Sequence, residues 1–218
     1  AIAKLLADPE PVVVHTAYRA LAQLGAYEAV LPVLKNSDPD TRKAAARALM
    51  RMHKPEVIGA LIAQLDQETD PALRRPLLSI LCRLYHREGE WQGNSWGTRP
   101  DTRGPYYQPV TWEESDRILT ALTASLATAT PEEASFLIET LNQNRIQSNE
   151  ALQRIIALAT ADKKIIPDAL AQLAAAGTMP DEALPLILAA AKNKDTPPDA
   201  LAAAIKLLMS SDHKEVIP

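Results

Sequence analysis

Apolar residues recur along this chain at helical spacing, in short blocks separated by small polar turns, and no stretch alternates in the manner of a strand. Ala17, Leu21 and Leu24 form one such stripe, Ala45, Leu49 and Met52 a second, and Leu77, Leu81 and Leu84 a third. A further block follows each of the first two: Ala29, Val30, Val33 and Leu34, then Val57, Ile58, Leu61, Ile62 and Leu65. Each pattern predicts an amphipathic helix that buries one face, and their alternation predicts helices in pairs.

The three stripes open alike. The segments beginning at Glu10, Asp38 and Asp70 align without gaps, with starts 28 and 32 residues apart. In each an acidic residue precedes a proline. Asp38 and Asp70 suit the helix N-cap, where a carboxylate accepts from unpaired backbone N–H groups, and proline at the first helical position gives up a donor that had no partner. Glu10 is the weakest cap of the three. Asp38 with Arg42, and Asp70 with Arg74, stand four apart, a spacing that predicts exposed ion pairs aligned as a ladder by stacking.

Beyond residue 112 the starts read as threonine, proline and acid. Thr111 with Glu114 predicts a capping box before Ile118, Leu119, Leu122 and Leu126. Thr130, Thr178 and Thr196 precede blocks around Leu137 and Ile138, Leu184 and Ile187, and Leu201 and Ile205. Between them lie helices around Leu152, Ile155 and Ile156 and around Ile165, Ile166, Leu170 and Leu173. The total is about a dozen helices, or about six stacked pairs. Frequent alanines, such as Ala44-Ala45-Ala46, permit close approach of helix axes and keep helix propensity high.

Two antiparallel helices per roughly 30 residues, opened by D-P-x-x-R, resemble the HEAT repeat family in its short bacterial form, best over residues 1–86. The resemblance implies an all-α, HEAT-like α-solenoid spanning 1–218 as a single domain. The opening residues read as the end of a helix, and neither end shows a polar capping face; both features suggest a fragment of a longer chain.

One stretch breaks the pattern. The first helix of the third repeat ends near Tyr85-His86 and its partner begins only at Thr111, so residues 88–111 are an insertion between the two helices of one repeat. Glu88 to Trp112 holds all three tryptophans, four of the seven glycines and the Tyr106-Tyr107 pair. A loop of this length is usually functional or disordered. Its aromatic content predicts an ordered one, because disordered segments are poor in large apolar side chains. Trp91, Trp96, Arg99, Asp101, Arg103, Tyr106, Tyr107 and Trp112 are the candidate binding residues: the rings offer stacking surface, and arginine both stacks on rings and forks to carboxylate or phosphate. The competing reading has the same rings plug a hydrophobic face of the helices.

The run SWGTRPDTRGPYYQPVTWEES is similar to a W-G-T-R-P-D-T-x-G-P-Y-Y segment in the HEAT-like region of large planctomycete-type exported proteins. There the region links a sugar-dehydrogenase-like propeller to a c-type cytochrome module. The resemblance implies Trp96, Gly97, Thr98, Arg99, Pro100, Asp101, Gly104, Pro105, Tyr106 and Tyr107 as signature positions. It also implies a periplasmic or extracellular setting.

Composition narrows the rest. Only 4% of residues are aromatic, so a core must be built from Ala, Leu, Ile and Val, which suits closely spaced helices. A net charge of −4 gives no global case for nucleic acid. No run of apolar residues is long enough to span a bilayer. Cys82 is the only cysteine, which excludes an internal disulfide and a multi-cysteine metal site. Cys82 and His86 share a helical face at zinc-ligand spacing, but a buried thiol beside a helix-end histidine accounts for them better. His15, His53, His86 and His213 fall in different repeats, and Glu113-Glu114 and Glu132-Glu133 sit at helix starts, where acids favour the dipole.

The expectation is a non-catalytic scaffold without a cofactor, binding a protein partner or neighbouring domains of its own parent chain. The alternative is a glycan or small-anion module using Trp91, Trp96, Arg99, Arg103 and Tyr106.

Overall fold

The computed structural model describes residues 1–90, 93, 106–147, 149–177 and 179–210. The fold is all-α, with eleven α-helices among the described residues. The chain forms two compact units, 1–122 and 123–218.

The first unit opens with a 3-10 helix, Ile2–Ala7, followed by α1 (Pro11–Leu24), α2 (Tyr27–Val30), α3 (Pro39–Leu49), α4 (Pro55–Gln67) and α5 (Pro71–Leu84). Helix α6 (Ser115–Thr128) begins in this unit. The three Asp-Pro or Glu-Pro starts all open helices with proline in the first turn. Asp38 accepts from the Thr41 N–H and Asp70 from the Ala72 N–H, whereas the Glu10 side chain caps nothing. First helices pack on first helices, α1 on α3 and α3 on α5. Ala45, Leu49, Met52, Leu77, Leu81 and Leu84 are fully buried between them.

Three details depart from the sequence pattern. Leu24, placed on the buried stripe of α1, is 66% exposed: the helix ends there and Gly25 turns the chain away with φ +63. The second helix of the first repeat is only one α-turn long and continues as a 3-10 helix, Leu31–Lys35, because Pro32 has no N–H to carry the α ladder forward. Arg42 and Arg74 also reach backward along the chain, beyond the acid four residues before each. The Arg42 guanidinium donates to the carbonyls of Asn36 and Ser37, and that of Arg74 to those of Leu65 and Glu68. Each arginine of the motif thus closes the end of the preceding repeat's second helix, a tie between repeats.

A two-residue antiparallel ribbon, β1 (Arg87–Glu88) with β2 (Pro109–Val110), joins the two ends of the insertion, with Arg87 opposite Val110 and Glu88 opposite Pro109. No strand pattern in the sequence announced it.

The second unit holds the end of α6, then α7 (Pro131–Gln143), α8 (Asn149–Ala161), α9 (Ile166–Ala176), α10 (Leu184–Lys192) and α11 (Pro198–Met209). Helices α9 and α10 are each entered through a short 3-10 turn ahead of Pro167 and Pro185. Helix α9 packs on α7, α8 and α11, and Leu170, Leu173, Ile187, Ala204 and Leu207 form its core with α10 and α11. Thr130 caps α7 through the Glu133 N–H. Thr196 is not a cap: its hydroxyl donates to the Ala190 carbonyl in α10, while Pro197 precedes α11. Thr178 lies outside the described residues.

Candidate functional site

Helix α5 ends in a series of carbonyls that the helix itself cannot satisfy. Each of four successive ones finds a side-chain donor from elsewhere in the fold. The Tyr106 hydroxyl donates to the Arg83 carbonyl at 3.1 Å, the Trp112 indole Nε1 to Leu84 at 2.8 Å, and Ser115 Oγ to Tyr85 at 2.7 Å. His53 Nε2 lies 2.9 Å from the His86 carbonyl. A carbonyl only accepts, so Nε2 carries the proton and Nδ1 does not. Three of these donors belong to the returning side of the insertion or the helix after it. The fourth comes from the end of the preceding repeat.

The same groups pack on one another. The Tyr106 oxygen sits 3.1 Å from His53 Nε2, and the Arg83 guanidinium lies over the Tyr106 ring at 3.8 Å. The His53 ring meets the Trp112 ring edge-on at 5.4 Å between centroids. Tyr106 is buried and Trp112 half-buried. Burial holds the His53 imidazole below its ordinary pKa, aided by the nearby charges of Arg83 and Arg87 and opposed by the bond to the His86 carbonyl. Burial, with Asp116 nearby, raises that of the Tyr85 phenol.

The insertion is closed at its base by a carboxylate. Glu88 accepts from two successive backbone N–H groups, Tyr107 through Oε2 at 3.1 Å and Gln108 through Oε1 at 2.7 Å. The Gly89 N–H donates to the Gln108 carbonyl at 2.7 Å. A side chain at Gly89 would meet the Gln108 carbonyl and Val110 at 3.1 Å, tighter than an ordinary contact.

Helix α6 starts by a variant of the expected box. Ser115 Oγ, not Glu114, reaches back, and it accepts from the Trp112 N–H, not from Thr111. Glu114 pairs instead with Arg117. One serine hydroxyl thus starts α6 and closes α5.

Of the eight candidate binding residues, Tyr106, Tyr107 and Trp112 come together here. Trp91, Trp96, Arg99, Asp101 and Arg103 lie outside the described residues, as do the signature glycines Gly97 and Gly104 and His213. His53, Arg83, Glu88 and Ser115 were not singled out by sequence. His53 falls at the end of a first helix in the alignment, where Gly25 and Tyr85 stand in the neighbouring repeats, so no shared residue type marks the position.

Cys82 is fully buried and its thiol pKa is pushed far up by that burial, so it behaves as a small apolar side chain. Among the described residues no group of three or more His, Cys, Asp or Glu is placed to hold a metal ion. No helix among them is long and apolar enough to cross a membrane.

Paired helices, proline starts and stacked first helices define the repeat. Residues 1–82 match the HEAT repeats family. The chain is thus HEAT-like in sequence over residues 1–82, and its described residues are helical apart from turns and the short β1–β2 ribbon. No curated protein matches it. Among solved structures, a crystal structure of an engineered protein is 17% identical and covers 96% of this chain and 94% of its own, at a TM-score of 0.49. A designed armadillo repeat protein in complex with the peptide (KR)4 is 16% identical, with coverage of 96% and 97% and a TM-score of 0.48.

Proposed function

We propose that the protein is a non-catalytic interaction scaffold, with the insertion as its contact surface for neighbouring domains of a larger exported parent chain. Repeat folds of this type are typical of interaction scaffolds and are generally non-catalytic. They work by presenting side chains from a rigid frame. The observation that carries the reading is the anchoring of the insertion's base: four α5 carbonyls, the Glu88 clamp and the β1–β2 ribbon fix where the chain leaves the repeat and where it returns. Tyr106 and Trp112 hold that base. Trp91, Trp96, Arg99, Asp101 and Arg103, with Tyr107, supply the contact chemistry, rings for apolar area and arginines for carboxylates.

The saccharide alternative uses Tyr106 as a stacking platform, and Arg83 already covers that ring. It therefore has less support than the scaffold.

The test is photo-crosslinking. Benzoylphenylalanine placed at Trp96 in the full gene product should give adducts to peptides outside residues 1–218, and placed at Lys192 on α10 should not. Adducts from position 96 confined to residues 1–90 would overturn the reading.

A further inference from the structure

Charge in the first unit is segregated by helix type. Asp40 is the only acidic residue in α1, α3 and α5, which between them carry seven arginines and lysines, counted as Arg19, then Arg42, Lys43 and Arg47, then Arg74, Arg75 and Arg83. Helix α4 is the reverse, with Glu56 and Asp66 and no basic residue. In a chain whose net charge is −4, these stacked helices thus carry a local excess of positive charge.

Four of these seven share a face; Arg42 and Arg74 reach backbone carbonyls of the preceding repeat and Arg83 covers the Tyr106 ring. His15 and Arg19 on α1, Lys43 and Arg47 on α3, with Arg51 just beyond it, follow one another at four-residue spacing and are exposed. Arg75 on α5 is the equivalent of Lys43 one repeat on and is also exposed. Since α1 packs on α3 and α3 on α5, equivalent positions lie side by side, and the arginines and lysines form rows across the helices. Among the described residues, Arg19, Arg47 and Arg51 meet no carboxylate; Arg51 lies over the Tyr18 ring at 5.7 Å. Between α1 and α3 the face is indented by a groove of about 650 Å³, whose walls include His15, Tyr18, Lys43 and Arg47. Asp8, Asp38 and Asp40 line it too, but each is already engaged: Asp8 accepts from the Glu10 N–H, Asp38 from Thr41, and Asp40 from Lys43.

We infer that this face of α1, α3 and α5 docks an acidic polypeptide segment. The spacing fits an extended chain: packed helices lie roughly 8–10 Å apart, and an extended segment advances about 3.3 Å per residue. One carboxylate in every third residue then meets one row of cations per helix. Along a single helix the cations stand roughly 5–6 Å apart, close to the separation of alternate residues on one side of a strand. Nucleic acid fits less well, since its dense phosphates would face the whole chain's negative charge and the acidic helix α4. This inference deepens the scaffold reading by giving a partner chemistry to a second surface. It uses side chains of α1, α3 and α5 and none of the insertion, so the two can fail separately.

The test is fluorescence anisotropy with a fluorescein-labelled oligoglutamate peptide at low ionic strength. The intact protein should bind it, with affinity falling as salt is added. Arg19→Glu with Arg47→Glu should weaken binding by at least about tenfold, while Lys163→Glu with Lys192→Glu, the same charge change in the second unit, should leave it unaltered. Circular dichroism melting checks that both variants fold, and Arg51→Gln, a milder change on the same face, should weaken binding in the same direction. Failure of the intact protein to bind, equal loss in both double variants, or tighter binding of an oligothymidylate of the same length would each overturn the inference. Loss of the crosslink from position 96 with peptide binding intact would overturn only the proposed role of the insertion.

Discussion

The Tyr106 hydroxyl lies 3.1 Å from His53 Nε2, joining the returning end of the insertion to the turn between α3 and α4, one repeat earlier. That contact makes the insertion part of the repeat stack. His53 Nε2 donates toward the His86 carbonyl and presents its hydrogen to the Tyr106 oxygen, while the Tyr106 hydrogen goes on to the Arg83 carbonyl. The polar atoms form a chain of hydrogen bonds in which the Nε2 hydrogen is shared, beneath the covering guanidinium of Arg83. Such a network fixes a geometry more than it adds net free energy. It sets where the insertion re-enters the fold.

Trp112 provides the first check. Its indole N–H is the partner of the Leu84 carbonyl at the buried end of α5. Trp112→Phe keeps most of the ring's apolar area and removes only the donor, which should cost about 1–2 kcal/mol by leaving that carbonyl unmet. Trp112→Ala removes the ring as well and should cost about 3 kcal/mol or more. Urea unfolding followed by far-ultraviolet circular dichroism measures both, and an unchanged stability of Trp112→Phe would show that the indole N–H contributes nothing.

The same network also predicts a pH response. Because burial, with Arg83 and Arg87, holds His53 below its ordinary value of 6.5, the unfolded chain takes up a proton that the folded chain resists. The stability that depends on neutral His53 is fully present above about pH 6.5 and is lost as pH falls through the lower, folded value. His53→Gln, which can place an N–H where Nε2 stands, should flatten the dependence of melting temperature between about pH 5 and 7. An unchanged slope in that variant would show that some other group controls it.

Arg74 offers a test of the inter-repeat tie. One guanidinium nitrogen, Nη1, donates to the carbonyls of both Leu65 and Glu68 across the turn, and a lysine ammonium sits on a side chain one atom shorter. Arg74→Lys should therefore destabilise the first unit by roughly 1 kcal/mol, although the charge is kept. Arg42→Lys should act in the same direction, since Arg42 makes the equivalent contacts with Asn36 and Ser37. If the pairing with Asp70 and Asp38 were the contribution that mattered, lysine would serve as well and neither change would register.

Helix existence and type were legible because each repeat states them locally. Asp-Pro marks the starts of α3 and α5, and the buried stripes of Leu49 and Met52 or Leu77 and Leu81 are read directly from their spacing. What was not legible depends on contacts between distant segments. Leu24 has the right spacing to be buried, but the chain turns at Gly25 and leaves it exposed. Thr196 has the right neighbours to be a cap, but its hydroxyl is taken by the carbonyl of Ala190. At the candidate site, Tyr106 and Trp112 stood out by rarity, whereas Ser115 and His53 are ordinary residues that matter because α5 leaves its carbonyls beside them. Nothing in a pattern of apolar positions encodes which carbonyl a histidine 33 residues away will meet.

The uneven quality of the three repeat starts gives the last prediction. Asp38 and Asp70 each accept a backbone N–H of the first turn, whereas the longer Glu10 side chain makes no such bond and its own N–H is held by Asp8 Oδ1. The N-cap backbone is already in place, since Glu10 sits at φ −87 and ψ 115, close to the values of Asp38 and Asp70. Shortening the side chain by one methylene should therefore let its carboxylate accept from the open N–H groups of α1 without moving the chain. Glu10→Asp is expected to stabilise the first unit by roughly 0.5–1 kcal/mol, with no change in net charge. Thermal melting of the variant beside Asp70→Glu, which should lose stability for the converse reason, checks it: a rise in one and a fall in the other is the expected result. Two unchanged melting curves would show that proline at the first helical position, and not the acid before it, starts these helices.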